Sequence, residues 1–142
     1  RGDVRVPFRL GKGADLAIAE LGEFLGRLSG RFEVYLLLDN PLGSVFNPKN
    51  LIGNRLAFQG GGNLDESTPL PADQAALNER LRQVAQAAGA RVIDQLPWLC
   101  PQGQCIRLTS DKRPIYKDDH HMRPFFVRQV AGDLERSLHE PH

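Results

Sequence analysis

Four consecutive polar residues near the end of the chain, Asp118, Asp119, His120 and His121, are its best candidates for catalysis. A neutral imidazole accepts protons near physiological pH, and an aspartate bonded to its other ring nitrogen fixes the tautomer and stabilises the imidazolium that forms. Asp118 and His121 have a spacing at which the carboxylate can orient the ring. The sequence therefore predicts half of a Ser-His-Asp triad. The alternative is an ordinary turn before a helix, where acids favour the helix dipole and histidines are surface residues.

A nucleophile to complete this triad is not evident. No serine lies in a Gly-Asp-Ser or Gly-x-Ser-x-Gly turn, which would expose a reactive hydroxyl. The serines are Ser29, Ser44, Ser67, Ser110 and Ser137. We therefore expect the attacking hydroxyl to come from another stretch of polypeptide.

The composition indicates one globular domain spanning residues 1–142, because 41% apolar and 25% charged residues suffice for a single core. The net charge is only +1, and acidic residues are interspersed with basic ones, so no nucleic-acid partner is expected. The longest apolar run, Val34 to Leu38, is too short to span a bilayer. The chain opens at Arg1 without an initiator methionine, which suggests a piece of something longer or a processed product.

Cys100 and Cys105 are the only cysteines, and the intervening Pro-Gln-Gly-Gln segment has the residues of a turn. A disulfide is the first interpretation; it would contribute only about 2 kcal/mol because the loop is short. It would also indicate an oxidising compartment such as a periplasm. A zinc site completed by His120 and His121 is one alternative, and two free buried thiols are another.

The hydrophobic pattern predicts alternating helices and strands, which is typical of α/β proteins. Apolar spacing predicts three helices, and two further stretches favour strands of a parallel sheet, the first of them buried on both faces. A hairpin around Ser110-Asp111-Lys112 is also predicted, from Ile106–Leu108 and Pro114–Tyr116. The predicted helices are Asp15–Ser29, Ala72–Ala88 and a closing helix that carries Pro124, Phe126, Val130, Leu134 and Leu138, and the predicted strands are Phe32–Leu38 and Arg91–Leu96.

The stretch from Leu42 to Pro71 is too long and too rich in Gly, Asn and Pro for an ordinary connector, so a functional loop and disorder are equally open. Two core strands are also fewer than open sheets usually contain. We therefore expect N-terminal strands of the sheet to be missing from this sequence.

Several of these segments together resemble the SGNH hydrolase superfamily, and most closely the SGNH domain that follows the membrane domain of bacterial acyltransferase-3 proteins. Those proteins O-acetylate cell-surface polysaccharides. The similarity runs from Phe32 to about Leu138. It is carried by Leu36-Leu37-Leu38-Asp39-Asn40-Pro41, by Phe46-Asn47-Pro48-Lys49, by Ile93-Asp94 with Leu99-Cys100 and Cys105, and by Pro114-Ile115-Tyr116-Lys117-Asp118-Asp119-His120-His121-Met122.

The last segment resembles the family's Asp-Asp-x-His-Leu block, which implies that Asp118 orients and His121 is the general base. The resemblance implies a partial, flavodoxin-like three-layer α/β fold and a periplasmic O-acyltransferase without metal or cofactor. Its partners would be an upstream membrane acyltransferase domain of the same polypeptide and a polysaccharide acceptor. A non-catalytic glycan-binding or docking module and a secreted esterase are the alternatives.

The chain departs from the family pattern in two places. The Gly-Asp-Ser block and the oxyanion-hole blocks would lie upstream, so this chain alone is expected to be inactive. Gly2-Asp3-Val4 and Gly61-Gly62-Asn63 have similar residues, but we do not assign them to these blocks. Arg123 stands where a small helix-capping serine is usual, which would weaken the cap or place a cation beside the site. Beyond the dyad, we expect Asp119 to cap or bind backbone, His120 to be exposed, and Trp98 to be core or a sugar platform.

Overall fold

The structure, a computed structural model, describes residues 11–51 and 66–139. The Gly60–Asn63 stretch and the Gly2-Asp3-Val4 segment lie outside the described residues. In chain order the helices and strands are α1 (Lys12–Ser29), β1 (Tyr35–Leu37), α2 (Pro48–Leu51), β2 (Ser67–Pro69), α3 (Ala72–Ala87), β3 (Arg91–Ile93), α4 (Leu96–Leu99), β4 (Gln104–Ile106) and α5 (Pro124–His139).

The α/β class predicted from the sequence is confirmed, and the three predicted helices and the two predicted parallel strands are present with adjusted ends. Helix α1 begins earlier than predicted because Gly11, at φ 113°, turns its carbonyl to accept the N–H groups of Ala14 and Asp15. Strand β3 is shorter than predicted because α4 begins at Leu96, with Pro97 in its first turn, where proline is favoured.

The chain forms two compact units, and the first comprises residues 1–39 and 71–94. In it β1 and β3 pair in parallel, with Leu36 opposite Val92. Leu25, Ala85 and Ala90 form the buried centre that α1 and α3 place against this strand pair. A Cβ on Gly22 would lie 2.8 Å from the side chain of Val84. Glycine is therefore needed at this position for α1 and α3 to pack at this distance.

The apolar sequence of β1 predicts burial on both faces of the strand, and this prediction is wrong for one face. Leu36 packs on the core of the first unit, whereas Leu37, whose side chain points to the opposite face, is 49% exposed. A continuous apolar run predicts burial only if both faces of the strand are covered. Among the described residues the only strand partner of β1 is β3.

Helix α3 buries two polar residues that the apolar periodicity did not indicate. Gln74 and Asn78 are 1% and 2% exposed. The Asn78 amide donates to the Asp39 carbonyl at the end of β1, 3.4 Å away. Buried polar side chains are stable only when hydrogen-bonded, so this contact ties α3 to the end of the strand.

The second unit comprises residues 40–70 and 95–142, and β2 and β4 pair within it in antiparallel orientation. The predicted hairpin is reduced to an isolated bridge between Leu108 and Pro114. Its turn is closed by the Thr109 N–H, which donates to the Arg113 carbonyl at 2.9 Å. The core of the unit is apolar and aromatic. It contains Phe46, Leu99, Cys100, Cys105, Ile115, Tyr116 and Phe126.

Cys100 and Cys105 form the predicted disulfide, and both are buried. The zinc alternative is wrong, because a disulfide sulfur is not a thiolate ligand. The bridge closes a turn in which Gln102 and Gly103 have φ values of 56° and 77°. It therefore fixes a short, left-handed turn at the edge of the core of the second unit.

We expect reduction of this disulfide to lower the unfolding free energy by about 2 kcal/mol, because the closed loop is short. Urea denaturation with and without a phosphine reductant measures the effect. The C100A/C105A variant is the control, since its stability should not respond to the reductant. Equal stability of the reduced and oxidised wild-type chain would contradict a stabilising role for the bridge.

The interpretation of residues 1–142 as one domain stays a prediction. In the part of the chain that the structure describes, no helix combines the length and apolar character needed to cross a membrane.

Candidate functional site

The candidate residues lie on a short loop between β4 and α5, which we call the histidine loop (residues 117–121). Its base is closed by the bridge between Tyr116 and Met122 and by the Lys117 N–H, which donates to the His121 carbonyl at 2.7 Å. Tyr116 is 1% exposed and stacks on Phe46 with ring centroids 4.8 Å apart. The loop therefore projects from the rigid core of the second unit.

Asp118 and His121 contact each other through their side chains. The His121 Nδ1 lies 2.9 Å from Asp118 Oδ2 and 3.1 Å from Oδ1. A carboxylate only accepts hydrogen bonds, so Nδ1 carries a proton, and in the neutral ring Nε2 then keeps its lone pair. This is the tautomer that a general base needs if it acts through Nε2. The catalytic role of the pair stays a prediction.

The Asp118 carboxylate is held by the backbone of its own loop. Its Oδ1 accepts the N–H of His121 at 2.9 Å and that of His120 at 3.1 Å. These two N–H groups, followed by the His121 ring, lower the pKa of Asp118 well below its ordinary value of 3.8. The carboxylate is therefore ionised throughout the neutral range, as an orienting group for an imidazole must be.

The lowered pKa of Asp118 predicts how stability responds to acid. A carboxyl group whose pKa is lower in the folded than in the unfolded chain stabilises the fold above its unfolded pKa, and this contribution is lost as the pH falls through the folded pKa. We therefore expect the difference in unfolding free energy between wild type and D118N to shrink as the pH falls below 3.8. Urea denaturation between about pH 6 and pH 2, followed by Trp98 fluorescence, measures this difference.

D111N is the control for this titration, because Asp111 also lies on a turn but hydrogen-bonds the Thr109 hydroxyl. A wild-type minus D118N difference that stays constant from neutral pH to the acid limit would contradict the proposed hydrogen bonding of Asp118.

His120 is exposed, as predicted, with 58% of its side chain accessible. Its ring lies beside that of His121, with centroids 4.0 Å apart, and its Nδ1 is 3.7 Å from Asp118 Oδ1. That separation exceeds a hydrogen bond. The side chain of His121 is itself 64% exposed. Of the two histidines, only His121 has the carboxylate contact that orients a base, and its ring is open to an incoming group.

Among the described residues, the Asp119 carboxylate contacts a side chain and no backbone group, in contrast to the prediction. Its Oδ1 accepts a hydrogen bond from the Asn47 side-chain amide at 2.5 Å. The backbone carbonyls of the loop also have partners: Gly43 N–H donates to the Asp119 carbonyl at 2.8 Å, and the Asn40 amide donates to the His120 carbonyl at 3.0 Å. Sequence reasoning missed these donors, because residues about 70 positions apart carry no local signal of contact.

Arg123 directs its side chain back toward the core of its unit. Its Nε donates to the Tyr116 carbonyl at 3.1 Å, while its own carbonyl accepts the N–H groups of Phe126 and Val127 at the start of α5. Arg123 thus begins the helix through its backbone and braces the base of the histidine loop through its side chain.

Asp118, His120 and His121 offer ligand atoms within 4.8 Å of one another, as a small metal site would require. The carboxylate of this set is already bonded to two backbone N–H groups and to the His121 ring. A metal at Nδ1 of His121 would have to displace that ring contact. The observed hydrogen bonding therefore fits an acid–base pair better than a ligand set.

Trp98 lies on α4 and is half-buried, so it is neither a fully buried core residue nor a fully exposed ring on which a sugar could stack. Phe126 is 5% exposed and belongs to the core of the second unit, as predicted.

Within the described residues, the ring of His121 has no hydrogen bond to a serine hydroxyl. The nucleophile is therefore not supplied by any described serine in this conformation.

In the comparison with protein families, residues 6–136 match the model described as "SGNH domain (fused to AT3 domains)". None of the curated proteins and none of the solved structures matches the chain significantly. The family match covers the described residues of both units up to residue 136, including the histidine loop. The chain therefore belongs to the family of SGNH domains that are fused to AT3 domains.

Proposed function

We propose that this chain carries the acid–base half of an SGNH-type O-acyltransferase, in which Asp118 orients His121 and His121 is the general base. The observation that carries the proposal is the contact of His121 Nδ1 with both Asp118 oxygens, at 2.9 and 3.1 Å, on an exposed loop. Membership of an acyltransferase-associated SGNH family supports an esterase or acyltransferase type of activity. The attacking serine would come from a Gly-Asp-Ser turn outside this chain.

The chemistry would run in two acyl-transfer steps. The serine oxygen attacks the acyl carbonyl of a donor while its proton moves to His121 Nε2, and the imidazolium then gives that proton to the leaving group. An acyl-serine ester remains. A sugar hydroxyl next attacks this ester, its proton moves to Nε2, and the proton returns to the serine oxygen as the ester bond breaks. Asp118, ionised at neutral pH, stabilises the imidazolium in both steps.

The compartment and partners belong to the same proposal. Fusion to AT3 domains, named in the family description, supports an attached membrane acyltransferase domain as the acyl donor. The Cys100–Cys105 disulfide supports an oxidising compartment, because such bonds persist outside the reducing cytoplasm. We therefore infer a periplasmic module that moves an acetyl or similar group to a cell-surface polysaccharide hydroxyl.

The test is an acyl-transfer assay on the full-length protein in liposomes, with an acyl donor and purified surface polysaccharide. Ester-linked acyl groups on the polysaccharide, detected by proton NMR, are the expected result. Release of free acid without modified polysaccharide would favour the esterase alternative, since water would be the acceptor. Polysaccharide binding with no acyl chemistry at all would favour a docking module and overturn the proposal.

A further inference from the structure

The histidine loop has little packing to hold its catalytic pair in place. The side chains of His121 and Asp118 are 64% and 38% exposed, so neither ring nor carboxylate is fixed by a surrounding core. Their orientation must then be set by the backbone that carries them. Displacement of a reacting group by about 1 Å can cost about a hundredfold in rate, so this backbone needs its own restraint.

That restraint comes from the segment that follows Asp39, which we call the clamp segment (residues 40–47). Three donors of the clamp segment reach the middle of the histidine loop: the side-chain amides of Asn40 and Asn47 and the N–H of Gly43. Their acceptors are the His120 carbonyl and both the carboxylate and the carbonyl of Asp119. The two residues between Asp118 and His121 are therefore held from outside the loop.

Asn47 makes the only clamp contact to a charged acceptor in this set. Its Nδ2 lies 2.5 Å from Asp119 Oδ1. Hydrogen bonds to an ionised acceptor are shorter and stronger than neutral ones. The Asn47 Oδ1 accepts the Lys49 N–H at 3.0 Å, which leaves the amide NH2 as the group that faces Asp119. Both the oxygen and the NH2 group of the Asn47 amide are thus hydrogen-bonded.

Buried residues anchor both partners of the Asn47–Asp119 hydrogen bond. Phe46 lies in the clamp segment directly before Asn47, and Tyr116 directly precedes the histidine loop. The two side chains are 0% and 1% exposed, and their rings pack at a tilt with centroids 4.8 Å apart. Gly43 has φ 136°, a conformation that side chains disfavour, and this turn aims its N–H at the loop. The Asn47 amide is therefore presented to Asp119 from a fixed position.

We propose that Asn47 is a positioning residue: through Asp119 it holds the histidine loop in the conformation that aligns His121 with Asp118. The inference rests on the proposed acyl transfer and adds to it a residue outside the dyad. Asn47 does not touch the reacting atoms. Its loss should lower kcat while leaving KM nearly unchanged, because the orientation of the base matters in the transition state.

The test is an exchange of the two side chains in the full-length protein. N47D places a carboxylate against Asp119, so the hydrogen bond is lost and like charges repel. N47D/D119N restores it with donor and acceptor reversed, and the new carboxylate at position 47 still accepts the Lys49 N–H. Q83E is the matched control, since it also replaces an amide that donates to a carboxylate, that of Glu79 within α3, at 2.9 Å.

We expect N47D to lower kcat about ten- to a hundredfold, with KM changed less than about twofold, and N47D/D119N to return kcat to within about threefold of wild type. Q83E should stay within about twofold. Unchanged kcat in N47D, or failure of D119N to rescue it, would overturn the inference. If N47D does not fold, N47A removes the donor without the added charge and should still lower kcat about tenfold, whereas unchanged kcat in N47A would overturn the inference.

H121A in the same assay separates the two hypotheses. Loss of acyl transfer in H121A together with unchanged kcat in N47D rejects only the positioning role. Unchanged acyl transfer in H121A rejects the proposed function itself, whatever N47D does.

Discussion

We expect H121A to lower the kcat of polysaccharide acylation at least about a thousandfold in the full-length protein, because the His121 imidazole is the proposed acceptor of the proton of the serine and of the sugar hydroxyl. This is the largest effect that we expect of any substitution in the chain. The His121 ring is 64% exposed, so its replacement leaves no cavity and the fold should be retained. The measurement is initial acylation rate at saturating donor and polysaccharide, with circular dichroism to verify folding.

H120A is the matched control, because it removes the neighbouring histidine, also exposed, from the same loop. His120 lacks the short contact to Asp118, since its Nδ1 is 3.7 Å from the nearest carboxylate oxygen. We expect H120A to stay within about threefold of wild type, the small effect reflecting the lost ring contact at 4.0 Å. Equal losses in H120A and H121A would show that the loop, and not one ring, is being damaged.

D118N lowers kcat about a hundred- to ten-thousandfold, which is the second largest expected effect. Asp118 Oδ1 accepts two backbone N–H groups, so the amide oxygen of the variant would keep that position. The new NH2 group would then face His121 Nδ1 at the Oδ2 position, 2.9 Å away. A donor there forces Nδ1 to accept, so the ring proton moves to Nε2 and the base is blocked.

This mechanism of inactivation has a spectroscopic test that activity alone does not provide. Nitrogen-15 NMR of labelled histidine distinguishes the two neutral tautomers, and we expect wild type to carry the proton on Nδ1 and D118N to carry it on Nε2. D111N, on the neighbouring turn, should leave both tautomer and rate unchanged. Full activity of D118N, or an unchanged tautomer with lost activity, would contradict the orienting role of Asp118.

The clamp that we infer for Asn47 widens the set of residues on which this chemistry depends. A triad is normally described by its three members. Because this Asp-His pair is exposed on a five-residue loop, other residues must hold the loop in place. Here the framework is polar and comes from one segment, with donors at Asn40, Gly43 and Asn47. Rigid support around a site is the general requirement for precise positioning of reacting groups.

The sequence by itself determined the local features of this protein. Apolar residues at helical spacing predicted α1, α3 and α5, and the run around Leu36 predicted a strand with a parallel partner. These features depend on neighbours along the chain, so periodicity is sufficient to find them. The contact of Asp118 with His121 was equally accessible, because three residues of separation on a closed loop bring the two side chains within reach. The disulfide between Cys100 and Cys105 followed from the same short-range logic.

Only the tertiary structure decided which residues meet across long separations. The exposure of Leu37 depends on what covers the second face of β1, and the burial of Gln74 and Asn78 depends on where α3 packs. The hydrogen bond of Asn47 to Asp119 joins residues 72 positions apart. An asparagine directly before a proline is ordinary in sequence, and its partner is set by the packing of Phe46 on Tyr116. Side-chain chemistry can be read from residue types, but the framework that aims it arises from packing, which local sequence does not encode.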